Sequence, residues 1–382
     1  MNKYFSLALI GTLGLTSCFK DEAANSECDI TEAYVHLESP TDVFFSPTDT
    51  LRSVLYTQSE IHFDNVRNKA DLTALAPIFK ITQGATISPA NGTTHDFSNG
   101  PVEYTVTSED GEWQRKYNVS FVRTVRTTKD TLEYDFENPH LDQAGKYYIW
   151  SQPHEDGTLY DDWATGNAGW GMVNQRKQAD EYPSSVLDEG FEGKGVKLVT
   201  TSTGSWGVYS KMLIAAGNLF LGEFDMNKAL QKPREATTFG KTFDKKPKSF
   251  SGYYKYKPGE KFQNQDGSIV EGKVDQAANY ALLYKKEFDE NGKEIKLNGD
   301  NVQTGANIVA KAIVNTIPPT DEWTKFEVDF TELEPFDQEL ANNRGYNLVI
   351  VFSSSTDGAF FQGAIGSTLC IDKVRIACEK TE

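Results

Sequence analysis

Cysteine, histidine and methionine are scarce in this chain of 382 residues, which contains four Cys, five His and four Met. No pair of cysteines has the C-x-x-C spacing of a metal site, and the histidines are scattered. The sequence also lacks G-x-S-x-G, H-E-x-x-H and a phosphate-binding glycine loop. It therefore carries no signature of a serine hydrolase, a zinc protease or a nucleotide-binding enzyme.

Positive charge is also in short supply, with 38 basic against 55 acidic residues and a formal net charge of -17. This balance repels phosphate backbones and anionic lipid headgroups, so we expect no nucleic acid among the partners. Aromatic residues make up 12% of the chain, and glycine is frequent. The composition favours strands and turns, and predicts an all-β protein.

The apolar run at the N-terminus is too short to span a bilayer. With Lys3 before it, the run predicts a signal peptide over residues 1–17. The sequence LTSC that ends at Cys18 resembles the bacterial lipobox, in which the cysteine is lipidated. We therefore expect a lipid-anchored protein of the outer membrane.

The segment after the cysteine, residues 18–28, is polar and charged and predicts a flexible tether. Its lysine-then-acid start is similar to the surface-export signal of Gram-negative bacteria that feed on glycans. This resemblance implies that the protein faces the cell exterior.

Three further cysteines follow the lipidated one. Cys370 and Cys378 would lie about 26 Å apart on one strand, too far for a disulfide. A bridge from Cys28 to either of them remains open, and three thiols leave at least one free.

Residues 29–125 alternate in the manner of strands. The dipeptide Asp110-Gly111 separates two strand-like runs and predicts a hairpin. The segment resembles the small immunoglobulin-like domains that follow the tether in surface lipoproteins. This resemblance implies a β-sandwich that serves as a spacer.

Residues 132–380 contain strand-like pieces separated by Gly and Pro, and predict a larger β-jelly-roll sandwich. The stretches KMLIAAGNLFLGEF, SGYYKYKPGEKF, DEWTKFEVDF and YNLVIVFSSSTDGAFFQGAIGSTLCIDKVRI resemble the putative carbohydrate metabolism domain of bacterial surface lipoproteins. This resemblance implies a jelly roll related to carbohydrate-binding modules and a glycan partner. It also implies neighbouring glycan-uptake proteins, and some members carry the label glycoside hydrolase.

Carboxylates are the candidates for catalysis, because a glycosidase needs two of them beside the scissile bond. The resemblance directs attention to Asp161 and Asp162 beside Trp163, and to Glu223 and Asp225 in GEFDM. Solvated loop acids would give the same pattern. The sequence therefore favours binding over catalysis.

A structural calcium ion is a further possibility. Glu137 and Asp372 resemble the acids on the first and last strands of carbohydrate-binding jelly rolls that hold Ca²⁺. Backbone carbonyls would have to supply the remaining oxygen ligands.

Tryptophans are the candidates for sugar stacking, because an indole packs against the C–H face of a pyranose. Trp163 and Trp170 lie in a Gly-rich segment that predicts a loop at the rim, and Trp206 is flanked by small residues. A core position is the alternative for all three. Trp113 and Trp323 are interpreted as structural.

The stretch FSGYYKYKPGE, residues 250–260, has the alternation of a half-buried strand. Phe250, Tyr254 and Tyr256 share one face, which predicts that they belong to the core. Tyr253 shares the other face with Ser and Lys. Its ring is therefore a candidate for stacking a sugar, or rests against the lysine stems.

Together these patterns predict a surface lipoprotein whose C-terminal jelly roll captures a glycan. Two alternatives remain open: a glycoside hydrolase with a carboxylate pair in the same domain, and an adhesin or structural surface component.

Overall fold

The structure is a computed structural model that describes residues 24–67, 70–123, 127–154, 157–290 and 293–380. The predicted signal peptide, the lipidation site at Cys18 and the first part of the tether lie outside these residues, and the side chain of Trp206 is likewise not described. Those assignments stay predictions.

The N-terminal part folds into a small β-sandwich, as predicted. Its elements are β1 Ile30–Val35, α1 Pro40–Val43, a 3-10 helix Pro47–Thr50, β2 Leu51–Ser53, β3 Glu60–Val66, β4 Pro77–Ile81, β5 Thr86–Ser88, β6 Val102–Thr107 and β7 Gln114–Arg123. One sheet has the order β2-β1-β4 and the other β3-β7-β6-β5. The hairpin β6–β7 turns at Asp110-Gly111 as predicted. Phe63, Tyr104 and Phe121 lie in the core of this N-terminal sandwich.

The C-terminal part is longer and is also built mainly of strands. Its first elements are β8 Thr131–Tyr134, β9 Pro139–Leu141, β10 Tyr148–Trp150, β11 Gln152–Pro153, β12 Leu159–Tyr160, β13 Trp163–Ala164, α2 Asn167–Val173, a 3-10 helix Ala179–Glu181, β14 Ser184–Leu187, β15 Gly195–Val199, β16 Thr201–Ser202, α3 Gly204–Ser210, β17 Ile214–Ala215, β18 Asn218–Phe224, β19 Thr237–Phe239 and β20 Lys241–Phe243.

The remaining elements complete two large sheets. They are β21 Pro247–Lys257, β22 Phe262–Gln263, β23 Ala278–Lys285, β24 Glu287–Phe288, β25 Glu294–Ile295, β26 Leu297–Asn298, β27 Ile308–Ile313, β28 Thr320–Asp329, β29 Thr331–Glu332, α4 Gln338–Asn342, β30 Tyr346–Ser353, a 3-10 helix Gly358–Phe360, β31 Gly363–Ala364 and β32 Thr368–Cys378. The all-β fold class is thus confirmed.

Two sheets face each other in this C-terminal sandwich. The 9-stranded sheet runs β26-β19-β18-β30-β23-β27-β29, with β13 on β18 and β20 on β30. The 6-stranded sheet runs β14-β15-β32-β21-β28, with β8 on β32. In β30, Leu348 and Ile350 point into the core between the sheets, whereas Val349 packs in a second cluster on the outer face. The outer face of the 9-stranded sheet is therefore covered, and that of the 6-stranded sheet carries polar and aromatic side chains.

Strand β21 crosses the middle of the 6-stranded sheet and has the predicted alternation. From Phe250 onward, its buried residues are Phe250, Gly252, Tyr254 and Tyr256, and its partly or fully exposed residues are Ser251, Tyr253, Lys255 and Lys257. The interpretation of FSGYYKYKPGE as mainly a core strand is confirmed.

The first and last strands of the C-terminal sandwich are neighbours. Thr131 of β8 is opposite Ala377 of β32, and the Cys378 N–H donates to the Asp130 carbonyl over 2.8 Å. The ammonium of Lys245 lies 3.2 Å from the Asp130 carboxylate and further fixes this point.

Cys28, Cys370 and Cys378 are free thiols. Within the described ranges, no helix is both long enough and apolar enough to cross a membrane.

Candidate functional site

A cleft of about 1280 Å³ lies between the two sandwiches. The N-terminal sandwich contributes charged and imidazole side chains, and the C-terminal sandwich contributes carboxylates, lysines and an aromatic ring. The lining includes Arg52, His62, Tyr160, Asp162, Glu223 and Lys241. The volume exceeds the roughly 300–1,000 Å³ of a pocket for one small molecule, so the cleft has room for a longer ligand.

Strand pairing brings three of the four candidate acids into this cleft. The short strand β13 pairs with β18, with Trp163 opposite Leu221, and so Asp161 and Asp162 lie beside Glu223. Asp161 accepts hydrogen bonds from the Ser151 hydroxyl at 2.7 Å and from His140 at 3.0 Å. The fourth acid, Asp225, is outside the lining and accepts a hydrogen bond from the Asn227 N–H.

Asp162 and Glu223 belong to one chain of alternating charges. The Lys241 ammonium lies 3.2 Å from Asp162, and the Lys296 ammonium lies 3.3 Å from Glu223. Burial raises the pKa of Asp162, but Lys241 and His154 outweigh burial and lower it to about 2. Lys296 is the main cause that lowers the pKa of Glu223 to about 2. Burial alone would lower the pKa of Lys241, yet the two carboxylates raise it. Asp162, Glu223 and Lys241 are therefore ionised at neutral pH.

The pKa values of two imidazoles in the cleft, His140 and His62, are shifted in opposite directions. Burial raises the pKa of Asp161, but the hydrogen bonds from His140 and Ser151 outweigh burial and lower it. The hydrogen bond between His140 and Asp161 in turn raises the pKa of His140. Burial lowers the pKa of His62, which shares a 2.7 Å hydrogen bond with Ser120. The surroundings thus favour the protonated form of His140 and the neutral form of His62.

Tyr160 places an aromatic ring between the two walls. Its centroid is 4.2 Å from the ring of His154 and 5.0 Å from the ring of His62, which belongs to the N-terminal sandwich. These contacts position a flat surface beside the charged chain.

Two predicted stacking residues lie in the interior instead of at the rim. Trp163 is 3% exposed and packs against Tyr134 and Phe136, while Trp170 is 6% exposed and packs against Tyr182. Burial of both indoles leaves no ring face for a sugar, which corrects that expectation.

The prediction of a loop over this Gly-rich segment is also wrong, because Asn167–Val173 is a helix. A Cβ on Gly169 would lie 3.0 Å from the Phe224 ring, and one on Gly171 would lie 2.9 Å from the Tyr182 hydroxyl. The glycines permit close packing of the helix and do not mark a turn. Trp206 lies in α3, and its side chain is outside what the structure describes.

The two proposed calcium ligands face backbone N–H groups. Glu137 accepts from the Lys194 N–H at 3.1 Å, and Asp372 accepts from the Glu192 and Lys373 N–H groups at 3.0 and 2.6 Å. N–H donors directed at these oxygens occupy the positions that a cation needs. Nor do the described residues contain a group of three or more His, Cys, Asp or Glu that could hold a metal. Both carboxylates are thus engaged with backbone N–H groups, and the calcium site stays a prediction.

Tyr253 is not among the residues that line the cleft and lies on the outer face of the 6-stranded sheet. Its ring stacks on Phe191 with centroids 3.8 Å apart and planes 11° apart. Phe191 also contacts Trp323, which the sequence analysis interpreted as structural and which is only partly buried. The alternation in TDEWTKFEVD does place Trp323 on the side opposite buried Phe326, whereas no periodicity marks Phe191.

Two family models match the chain. The model described as "Putative carbohydrate metabolism domain" matches residues 135–377, and the model described as "SGBP, N-terminal" matches residues 52–121. Among curated proteins, none matches significantly.

Two crystal structures are similar to this chain over most of their own length. A putative glycoside hydrolase from Bacteroides thetaiotaomicron VPI-5482 has 39% identity and a TM-score of 0.81, and the match covers 95% of this chain and 100% of that one. A putative glycoside hydrolase from Bacteroides vulgatus ATCC 8482 has 35% identity and a TM-score of 0.59, with 65% and 98% covered.

Proposed function

Because the chain belongs to the putative carbohydrate metabolism domain family, we propose that it binds a glycan in the cleft between its two sandwiches. The observation that carries this proposal is the chain of alternating charges from Asp162 through Lys241 to Glu223 and Lys296, beside the Tyr160 ring.

The chemistry of the cleft suits a polyhydroxylated ligand. Each sugar hydroxyl both donates and accepts a hydrogen bond, and here carboxylates accept while ammonium groups donate. The carboxylate of Asp162 and the ammonium group of Lys241 neutralise each other. A neutral ligand can therefore displace water from the cleft without burying an unpaired charge. The Tyr160 ring supplies a surface for the C–H face of a pyranose.

Hydrolysis is the second candidate, favoured by the descriptions of the two similar crystal structures and by the carboxylates in the cleft. A glycosidase needs one carboxyl that still holds a proton at working pH. The pKa values of Asp161, Asp162 and Glu223 are all lowered, so none of the three is suited to be that acid. This pattern argues against the three acids that the sequence singled out, but not against Asp49, another carboxyl of the cleft lining, whose pKa burial raises.

Glycan binding by a lipid-free form, residues 19–382, tests the proposal. We expect hits on a glycan array whose affinity falls about tenfold in Glu223→Gln, because a hydrogen bond to a charged group is worth roughly 1.5–3 kcal/mol. Tyr160→Ala should weaken the same hits through loss of the ring surface. Isothermal titration on each hit gives the dissociation constants.

Asp225→Asn is the matched control, since Asp225 is two residues from Glu223 but outside the cleft lining. Equal affinity in Glu223→Gln and in the unmodified protein would contradict a site in the cleft. Release of reducing ends from a hit, abolished by Glu223→Gln, would establish the hydrolase instead.

We also propose that the protein is anchored in the outer membrane through Cys18, faces the exterior, and passes captured glycan to uptake proteins. The LTSC sequence and the charged tether support this location. Cys18→Ala should prevent lipidation and move the protein to the soluble periplasmic fraction. Mass spectrometry and membrane fractionation check the outcome. The anchor is refuted if the mutant stays in the outer membrane and the substitution alone accounts for its change in mass.

A further inference from the structure

The outer face of the 6-stranded sheet carries a cluster of three aromatic rings, Phe191, Tyr253 and Trp323, which we call the outer-face cluster. The rings of Tyr253 and Phe191 are stacked, and the planes of Phe191 and Trp323 meet at 84° with centroids 6.3 Å apart. Phe191 is 44% exposed. The rings of Phe191 and Trp323 thus form a corner, and Tyr253 packs against the Phe191 ring. None of the three rings lines the cleft.

Two lysines extend this corner across the sheet. Lys197 and Lys255 are both register partners of Cys370, on β15 and β21 respectively. Their backbones are therefore about 10 Å apart, which is two strand spacings. The Lys255 ammonium lies 5.1 Å from the centroid of the Trp323 ring. Burial raises the pKa of the Cys370 thiol while both lysines lower it, consistent with two ammonium groups converging on this position.

Neither of these two lysines forms an ion pair with a carboxylate of the described residues. Their neighbours differ in this respect. Lys325 is 2.6 Å from Glu327, and Lys373 is 3.3 Å from Glu192. Glu327 and Glu192 are thus already engaged, and Lys197 and Lys255 remain available to a ligand beside the exposed ring of Phe191.

We propose that the outer-face cluster is a second carbohydrate site, and that it takes a polysaccharide containing uronic acid. A pyranose ring packs in the corner of Phe191 and Trp323, and its carboxylate accepts hydrogen bonds from Lys255 and Lys197. The two lysines favour a sugar that carries a negative charge. The paired charges of the cleft, by contrast, favour neither an acidic nor a basic sugar. The site does not depend on a glycan in the cleft.

Affinity electrophoresis and isothermal titration with three uronate polymers, polygalacturonate, alginate and hyaluronan, test the proposal on residues 19–382. We expect at least one polymer to bind. Trp323→Ala and Lys255→Met should each weaken that binding about tenfold, and added salt should weaken it in the unmodified protein more than in Lys255→Met. If polygalacturonate binds, fully methyl-esterified pectin, its uncharged counterpart, should bind markedly less.

The matched controls are Trp113→Ala, an indole that is 60% exposed on the other sandwich, and Lys248→Met, at the far end of β21. Both should bind as the unmodified protein does. Absence of binding to all three polymers, or equal binding in Trp323→Ala and Lys255→Met, overturns the proposal. Loss of uronate binding in Glu223→Gln but not in Trp323→Ala would place the acidic sugar in the cleft and also overturn it. If Trp323→Ala does not fold, the binding of the uronate polymers by Lys255→Met alone tests the proposal.

Discussion

Tyr254→Ala should lower the free energy of unfolding by about 3–5 kcal/mol, the usual cost of removing a large buried aromatic side chain. The Tyr254 ring is buried in the core between the sheets and contacts Phe326 at a centroid distance of 6.4 Å. Its loss leaves a cavity that the paired strands β28 and β32 on either side cannot readily fill. Urea unfolding followed by circular dichroism measures the change.

Tyr253→Ala is the matched control, one residue away on the same strand but on the opposite face. Because this ring stacks only on partly exposed Phe191, we expect its loss to cost no more than about 1.5 kcal/mol. If Tyr253→Ala proved the more destabilising of the two, the assignment of faces in β21 would be reversed.

Acidification should destabilise the protein through the charged chain of the cleft. The pKa values of Asp162 and Glu223 are lowered to about 2, below their unfolded values of roughly 4. A lowered carboxyl pKa contributes stability that is present above the unfolded value and is lost as pH falls from about 5 toward about 2. Each group accounts for about 3 kcal/mol, and the two are not additive because they share Lys241. Unfolding measured at several pH values gives the profile.

Asp162→Asn should flatten this profile, because the substituted side chain takes up no proton in that range. Lys241→Met should instead lower stability most at neutral pH, where two ionised carboxylates lose a shared cation, and less near pH 3. Asp225→Asn controls for the change of one unit in net charge. A profile in Asp162→Asn that is parallel to that of the unmodified protein would mean that the ion pair does not couple to folding.

The fold was predictable wherever a local pattern determines the structure. Alternation in β21 identified which tyrosine is buried, and Asp110-Gly111 identified a hairpin, because both signals depend on neighbours in sequence. The Gly-rich helix Asn167–Val173 was missed because its glycines serve contacts with Phe224 and Tyr182, which are distant in sequence. A glycine that allows close packing looks the same in sequence as one that permits a turn.

The candidate site was predictable only in part. Asp161, Asp162 and Glu223 were singled out through the family resemblance, but the pairing of β13 with β18 is what brings Glu223 to the other two. Lys241, which connects the two carboxylates, follows from the position of β20 on β30, and sequence gave no sign of it. The wall contributed by Arg52 and His62 depends on how two sandwiches meet, which no local pattern encodes.

The adjacency of β8 and β32 has a consequence for the architecture of the whole chain. The first and last strands of the C-terminal sandwich meet at Asp130 and Cys378. The two ends of this unit therefore lie side by side. Such a unit can be excised, circularly permuted or inserted into another protein without rerouting the backbone through its core. Both ends of the sandwich can therefore be joined to a host protein at the same place, with loss only of its contacts to the N-terminal sandwich, such as that of Tyr160 with His62.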